Sequence, residues 1–137
     1  MENLLYIVWQ PGHEIGIPIV DEQHRGIVST INSFYYFFQR GDAATVYKPT
    51  LDVLHHYAAL HFSTEEALMR AAGYQSMGEH VALHSRFADQ VHAMTVHRTH
   101  EGDVEDLLVF LRKWWLGHIS NEDRKYAAVV RKHLDLL

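Results

Sequence analysis

Histidines and carboxylates recur at helical spacing in this chain. His61 stands four residues before Glu65, His80 four before His84, and His118 is followed at five by Asp123, with His24 nearer the start. Residues three or four apart share one side of a helix, so these side chains can converge on one point when their helices pack together. Imidazole and carboxylate at such a point are metal ligands. Cysteine is absent, which excludes disulfides, thiolate zinc sites, iron–sulfur clusters and a cysteine-attached haem, so any metal is held by nitrogen and oxygen. With 12 histidines in 137 residues, about one His-x-x-x-His pair is expected by chance, and His80/His84 alone means little. The weight lies in several such sets falling on the inward faces of different helices. Five histidines and two carboxylates buried without a cation would have to be desolvated and paired at a cost. A metal centre removes that cost.

Counting donors indicates which centre. If Glu65 and Asp123 bridge two divalent ions, five imidazoles, four carboxylate oxygens and one hydroxide shared by both metals fill all but one position of an octahedral pair. One metal with three histidines is closed, and the other with two is open to a small ligand. Imidazole with carboxylate suits iron rather than calcium or magnesium. The Glu-x-x-His pairs of ferritin-like di-iron proteins occur nowhere in the sequence.

Positioning these residues requires helices, and the periodicity supplies little else. After an irregular arm holding Pro11, Gly12, Gly16 and Pro18, a first helix is expected from about Asp21 to Gln39, with Ile27, Val28, Ile31, Phe34, Tyr35 and Phe38 at helical spacing. A second, roughly 43 to 72, carries Leu51, Leu54, Ala58, His61, Phe62, Glu65, Leu68 and Met69 on one side and ends at Gly73. Pro49 lies too far inside it for a first-turn proline, which predicts a kink or a late start near Lys48. A third, about 77 to 98, has Val81, His84, Ala88, Val91 and Met94 or Thr95 as its stripe, and "HEGD" breaks it before Asp103 caps a fourth. There Val104, Leu107, Leu108, Leu111, Trp114, Trp115, His118 and Ile119 recur at three and four. Four long helices with short links predict an all-α, antiparallel up-down-up-down four-helix bundle with an irregular N-terminal arm. The chain reads as a single domain over 1–137, and its 47% hydrophobic content is enough for a core.

One spacing conflicts with a regular helix. Asp123 lies about 140° around from His118 on an ideal α-helix, so both point inward only if the helix breaks, bulges or ends between them. Ser120-Asn121, poor helix formers, are the expected place. Of the other histidines, 55 and 56 precede the ligand turn, 97 and 100 flank a turn, and 13, 92 and 133 have no partner at ligand spacing, while Glu66 with Glu101, Asp103, Glu105 and Asp106 reads as solvated helix-end charge. A formal charge of −5 argues against nucleic acid as a partner. No apolar run approaches the ~18 residues of a membrane span, and the N-terminus has no basic flank or cleavage site of a signal peptide, so a cytoplasmic location is expected.

Four stretches taken together, "W9…IGIPIVDEQH24", "HFSTEEALM" from His61, "GYQSMGEHVALHSRF" and "WWLGHISNEDRKY", resemble the motifs of the hemerythrin family, in particular its bacterial single-domain form, over nearly the whole chain. The resemblance implies two iron ions per chain with a bridging oxo or hydroxo group, His80, His84 and His118 on the closed iron, His24 and His61 on the open one, and Glu65 and Asp123 as bridges. It implies reversible dioxygen binding for carriage, storage or delivery rather than catalysis, the ferrous pair lending electrons to dioxygen and regaining them on release. Ile27, Phe62, Trp114, Trp115 and Ile119 are expected to surround the open site with hydrocarbon, and Tyr126 to lie just outside the ligands. The sequence departs from the family pattern at Trp115, where leucine is usual, and at Gly117, where asparagine is usual. An oxygen or redox sensor acting through a protein partner, a di-iron oxidase or peroxidase, and a zinc hydrolase on His80, His84 and His118 are the competing readings.

Overall fold

The computed structural model describes residues 5–96 and 102–136, without the side chains of residues 95, 96, 102, 103 and 120. Helix α1 spans Pro18–Gln39, α2 Ala43–Ala72, α3 Met77–Val96 and α4 Gly102–Trp114; α4 runs through a π-helical segment, Trp115–Glu122, into α5, Asp123–His133. The rod of α4, the π segment and α5 is the fourth member of a four-helix bundle. Each turn between α1, α2 and α3 is short, and at Gly73 the backbone leaves α2 in the left-handed region at φ 70°, where a side chain is disfavoured and glycine is not.

Three expectations about these elements are corrected. Helix α1 starts at Pro18, not Asp21, because proline suits a first helical position whose N–H has no intrahelical partner. Helix α2 begins at Ala43 with Pro49 inside it, so of the two alternatives, a kink or a late start near Lys48, the late start does not occur. Burial of Ala43, Tyr47 and Leu51 on one face outweighs the single backbone bond that proline forfeits. On α3 the core stripe is His80, His84, Phe87 and Val91, while Val81 and Ala88 are only half-buried. Residues 97 and 100 and the side chain of Asp103, expected to form the turn and cap before α4, lie outside the described residues.

Apolar packing forms two clusters with a polar band between them. The larger contains Ile27, Ile31 and Phe34 of α1, Leu51, Leu54 and Phe62 of α2, Phe87 of α3, and Leu107, Leu111, Trp115 and Ile119 of the fourth rod. The smaller contains Ile15, Ile17, Val20, Met69, Tyr126 and Val130. Along every rod the histidines and carboxylates fall between residues of the first cluster and residues of the second or beside it. The arm is tied across the bundle by two side chains. Asp21 accepts the N–H groups of Ile15 at 2.8 Å and Gly16 at 3.1 Å, and Asn32 both accepts from and donates to the backbone of Ile7, each at 2.8 Å. That seats Trp9 and His13 against Trp115.

Candidate metal centre

The polar band is a cluster of seven side chains from all four rods: His24 on α1, His61 and Glu65 on α2, His80 and His84 on α3, His118 in the π segment and Asp123 at the start of α5. All are buried, four of them with no solvent exposure at all. The structure therefore brings together the seven residues that spacing singled out. The break expected at Ser120-Asn121 is a π-helical stretch that starts earlier, at Trp115, and ends at Glu122; its mark is the Asp123 N–H bonded to the His118 carbonyl five residues back. In this wider winding a five-residue interval does what a four-residue interval does in an α-helix, so His118 and Asp123 both face inward.

The two carboxylates divide their oxygens between two sets of histidines. Asp123 Oδ2 lies 2.9 Å from His24 Nε2 and 3.4 Å from His61 Nε2, while its Oδ1 lies 2.9 Å from His80 Nε2 and 3.0 Å from His118 Nε2. Glu65 does the same: Oε1 contacts His61 Nε2, and Oε2 is 2.9 Å from His80 Nε2 and 3.6 Å from His84 Nε2. Two groups of potential ligand atoms result, one from Glu65, His80, His84, His118 and Asp123 and the other from His24, His61, Glu65 and Asp123, each with its atoms within 4.8 Å of one another. The carboxylates are common to both.

Several of these atoms are close without being hydrogen-bonded. Glu65 Oε1, Asp123 Oδ1, His84 Nε2 and His118 Nε2 are buried and make no well-directed hydrogen bond among the described residues, although His118 Nε2 is only 3.0 Å from Asp123 Oδ1. Buried polar groups are normally satisfied, and orphaned lone pairs converging on shared spaces are the arrangement a cation satisfies. The donor set, imidazole nitrogen and carboxylate oxygen, fits iron.

Electrostatics in the protein alone show the same frustration. Burial, and after it the charge of Asp123, pushes the Glu65 carboxyl well above its ordinary range. Burial acts likewise on Asp123, but contacts from His118, His24, His61 and His80 reverse it and hold this carboxyl well below the usual value. Burial depresses His24 against the opposing pull of Asp123 and, reinforced by His118 and His80, takes His84 down to about 3. For His80 burial also opposes charge, yet Asp123 and Glu65 prevail and raise it to about 9. Asp123 is thus held ionised and His80 protonated, and divalent cations would displace such protons.

Outer contacts fix the rings. His61 donates its Nδ1–H to Gln23 Oε1 at 2.9 Å, and the Gln23 amide donates to Thr64 Oγ1 at 3.0 Å, so the Nε2 lone pair of His61 points to the cluster. His84 donates its Nδ1–H to Glu66 Oε2 at 3.0 Å. This corrects the reading of Glu66 as a solvated charge: its side chain is 27% exposed and engaged with a clustered histidine. Periodicity signalled neither Gln23 nor Glu66, since each sits one position from an inward residue and reaches sideways to another helix. Tyr126 is buried, 5.5 Å from the His80 ring, and its hydroxyl does not reach water; burial and then Glu65 push its phenol well above the ordinary range.

The apolar residues expected around one open site are distributed. Trp115 is wholly buried with its ring perpendicular to His24 at 5.9 Å, and it also lines a cavity of about 250 Å³ beneath the arm together with Tyr6, Gln10 and His13. Ile27 and Ile119 are buried in the same cluster. Phe62 instead stacks on His84 at 3.8 Å, and Trp114 lies parallel to His118 at 5.6 Å, both beside the larger histidine group. His55, His56, His92 and His133 are exposed. His13, expected to be bland, packs on Trp9 and Trp115.

Residues 15–130 match the Hemerythrin HHE cation binding domain. The chain is 32% identical over 130 residues to a bacteriohemerythrin of Stenotrophomonas maltophilia, covering 94% of this chain and 84% of that protein. It is 33% identical over 135 residues to a bacteriohemerythrin of Pseudomonas aeruginosa, covering 98% and 88%. A crystal structure of a leucine-to-alanine mutant of hemerythrin superposes with a TM-score of 0.79 at 23% identity, over 92% of this chain and 98% of that one.

Proposed function

We propose that this chain, which belongs to the hemerythrin family, holds two iron ions joined by an oxo or hydroxo group and binds dioxygen reversibly, as a carrier, store or delivery protein. The observation that supports this best is the division of the Glu65 and Asp123 oxygens between two histidine groups. On this reading His80, His84 and His118 would hold one metal and His24 and His61 the other, Glu65 and Asp123 would be shared between them, and the group with fewer histidines would be the one to admit a small ligand. Bound there, such an iron pair would supply the reversible two-electron reduction of dioxygen.

The protein's own residues orient and shield. Gln23 and Glu66 hold the Nδ1–H bonds of His61 and His84, leaving their Nε2 atoms free to coordinate. The wholly buried ring of Trp115, 5.9 Å from His24, would keep water from that side and so protect a reversible electron exchange from stray protons. The indole of Trp115 stands beside His24, and Tyr126 lies by His80; the reading is a binding role rather than catalysis. Residues 1–137 are read as one domain, with a cytoplasmic location proposed for it. No helix among the described residues is long and apolar enough to cross a membrane.

Bridging and terminal ligands make different predictions. Glu65→Ala removes a donor from both groups and is expected to lose both irons together, whereas His24→Ala removes a donor from one. Iron per chain, measured after anaerobic reconstitution, checks this. A Glu65→Ala protein that still holds two irons contradicts the shared-carboxylate arrangement.

A further inference from the structure

The outer partners of the clustered histidines are chemically unequal. Glu66 Oε2 accepts the Nδ1–H of His84 at 3.0 Å, and the face of Phe62, stacked at 3.8 Å and 9° on the same ring, fixes the direction in which that N–H points. The corresponding contact of His61 is neutral, through Gln23 Oε1 at 2.9 Å. His24 Nδ1 is buried with no hydrogen-bond partner among the described residues. His84 belongs to the group of five potential ligands, and His24 and His61 to the group of four. A carboxylate therefore backs His84 in one group, while an amide backs His61 in the other.

An imidazole that donates a hydrogen bond to a carboxylate becomes a stronger electron donor through its other nitrogen, and a stronger donor favours the higher charge on a metal. We propose that Glu66 is a positioning residue that, acting through His84, lowers the reduction potential of the metal held by His80, His84 and His118, making the two metals electronically unequal. This rests on the two-iron reading above. His61, whose Nδ1–H goes to an amide oxygen, is the weaker donor. Glu66 sets this imbalance from a partly exposed position, with no contact of its own to the metal.

The test is a reductive titration followed in the visible spectrum, with iron content measured on the same samples. Glu66→Gln keeps the size and an acceptor oxygen but removes the charge. It is expected to retain two irons and to lose about tenfold of the ferric-over-ferrous preference of that site, an upward shift of about 59 mV in its potential. Glu66→Asp, which keeps the charge, is expected to stay near the wild-type potential. A two-iron Glu66→Gln protein with an unmoved potential overturns the inference and leaves the two-iron reading intact. Loss of iron from the Gln and Asp variants alike also overturns it, since the residue would then act through packing alone; retention in Asp with loss in Gln supports it. A wild-type chain that takes up no iron overturns both.

Discussion

Gly26 joins the fold to the centre, and replacing it by alanine tests that joint. It lies on α1 two residues after His24, facing Tyr57 on α2 four residues before His61. A Cβ built there would fall on the Tyr57 hydroxyl oxygen and Cζ and come within 2.7 Å of Cε2. Three atoms of a rigid ring are involved, so the ring must vacate its place. Overpacking of this kind costs about 1–3 kcal/mol, and the upper end applies when a whole ring edge is displaced. Against it stands the helix-propensity gain of about 1 kcal/mol for alanine over glycine. The balance is a destabilisation of about 2 kcal/mol, or roughly 4–8 °C in Tm for a chain of this size. Urea unfolding of protein stripped by a chelator measures it without the contribution of bound metal. In a Tyr57→Ala background the obstruction is gone, and Gly26→Ala should become neutral or stabilising by about 1 kcal/mol. The Gln23 contacts to His61 and Thr64 cross the same helix pair, so iron retention should fall with stability in the single variant. A Gly26→Ala protein about 1 kcal/mol more stable than wild type would refute the close approach of α1 and α2.

Other predictions concern the arm, protonation and the metal. Asp21→Ala strands the buried N–H of Ile15 and the N–H of Gly16, which should cost about 2 kcal/mol and speed protease cleavage within the arm; unchanged cleavage would show that Asp21 does not hold it. In the metal-free protein His84 is depressed to about 3 and His80 raised to about 9. The His84 contribution is present above the unfolded value of 6.5 and lost as pH falls from 6.5 towards 3, while that of His80 is full below 6.5 and lost as pH rises through 9. The urea midpoint of stripped protein should therefore decline towards both ends, and a flat profile from pH 4 to 10 would contradict the assignment. Restoring ferrous iron at about a hundred times its Kd should add about 2.7 kcal/mol, read as a rise in Tm that a chelator reverses.

Much of this was legible in the sequence because helical periodicity reports which residues share a face. His61 with Glu65 and His80 with His84 are four apart and fall inward together, as do most apolar partners on α1, α2 and α4. The five-residue interval from His118 to Asp123 demanded a distortion, and the π segment is that distortion. Its start at Trp115 was not readable, because the winding depends on what the fourth rod packs against. Periodicity also failed where a side chain reaches out of its own face: Gln23 and Glu66 neighbour inward residues and find partners on another helix. On α3 His84 and Val91 face the core as expected, but Val81 and Ala88 each give way to the residue before them, for a related reason. Phe87 stacks on Trp114 across the bundle, and that aromatic contact, rather than the smaller Ala88, settles which side of α3 turns in.

Dioxygen reversibility is the central claim, and one measurement addresses it most directly. The purified protein, loaded with iron and reduced without air, is exposed to oxygen and then deoxygenated while its visible spectrum and iron content are followed. The expected result is two irons per chain and a charge-transfer band that appears with oxygen and disappears when oxygen is removed, through repeated cycles. Two irons that oxidise once and never return, or a chain that holds a single zinc instead, would contradict it.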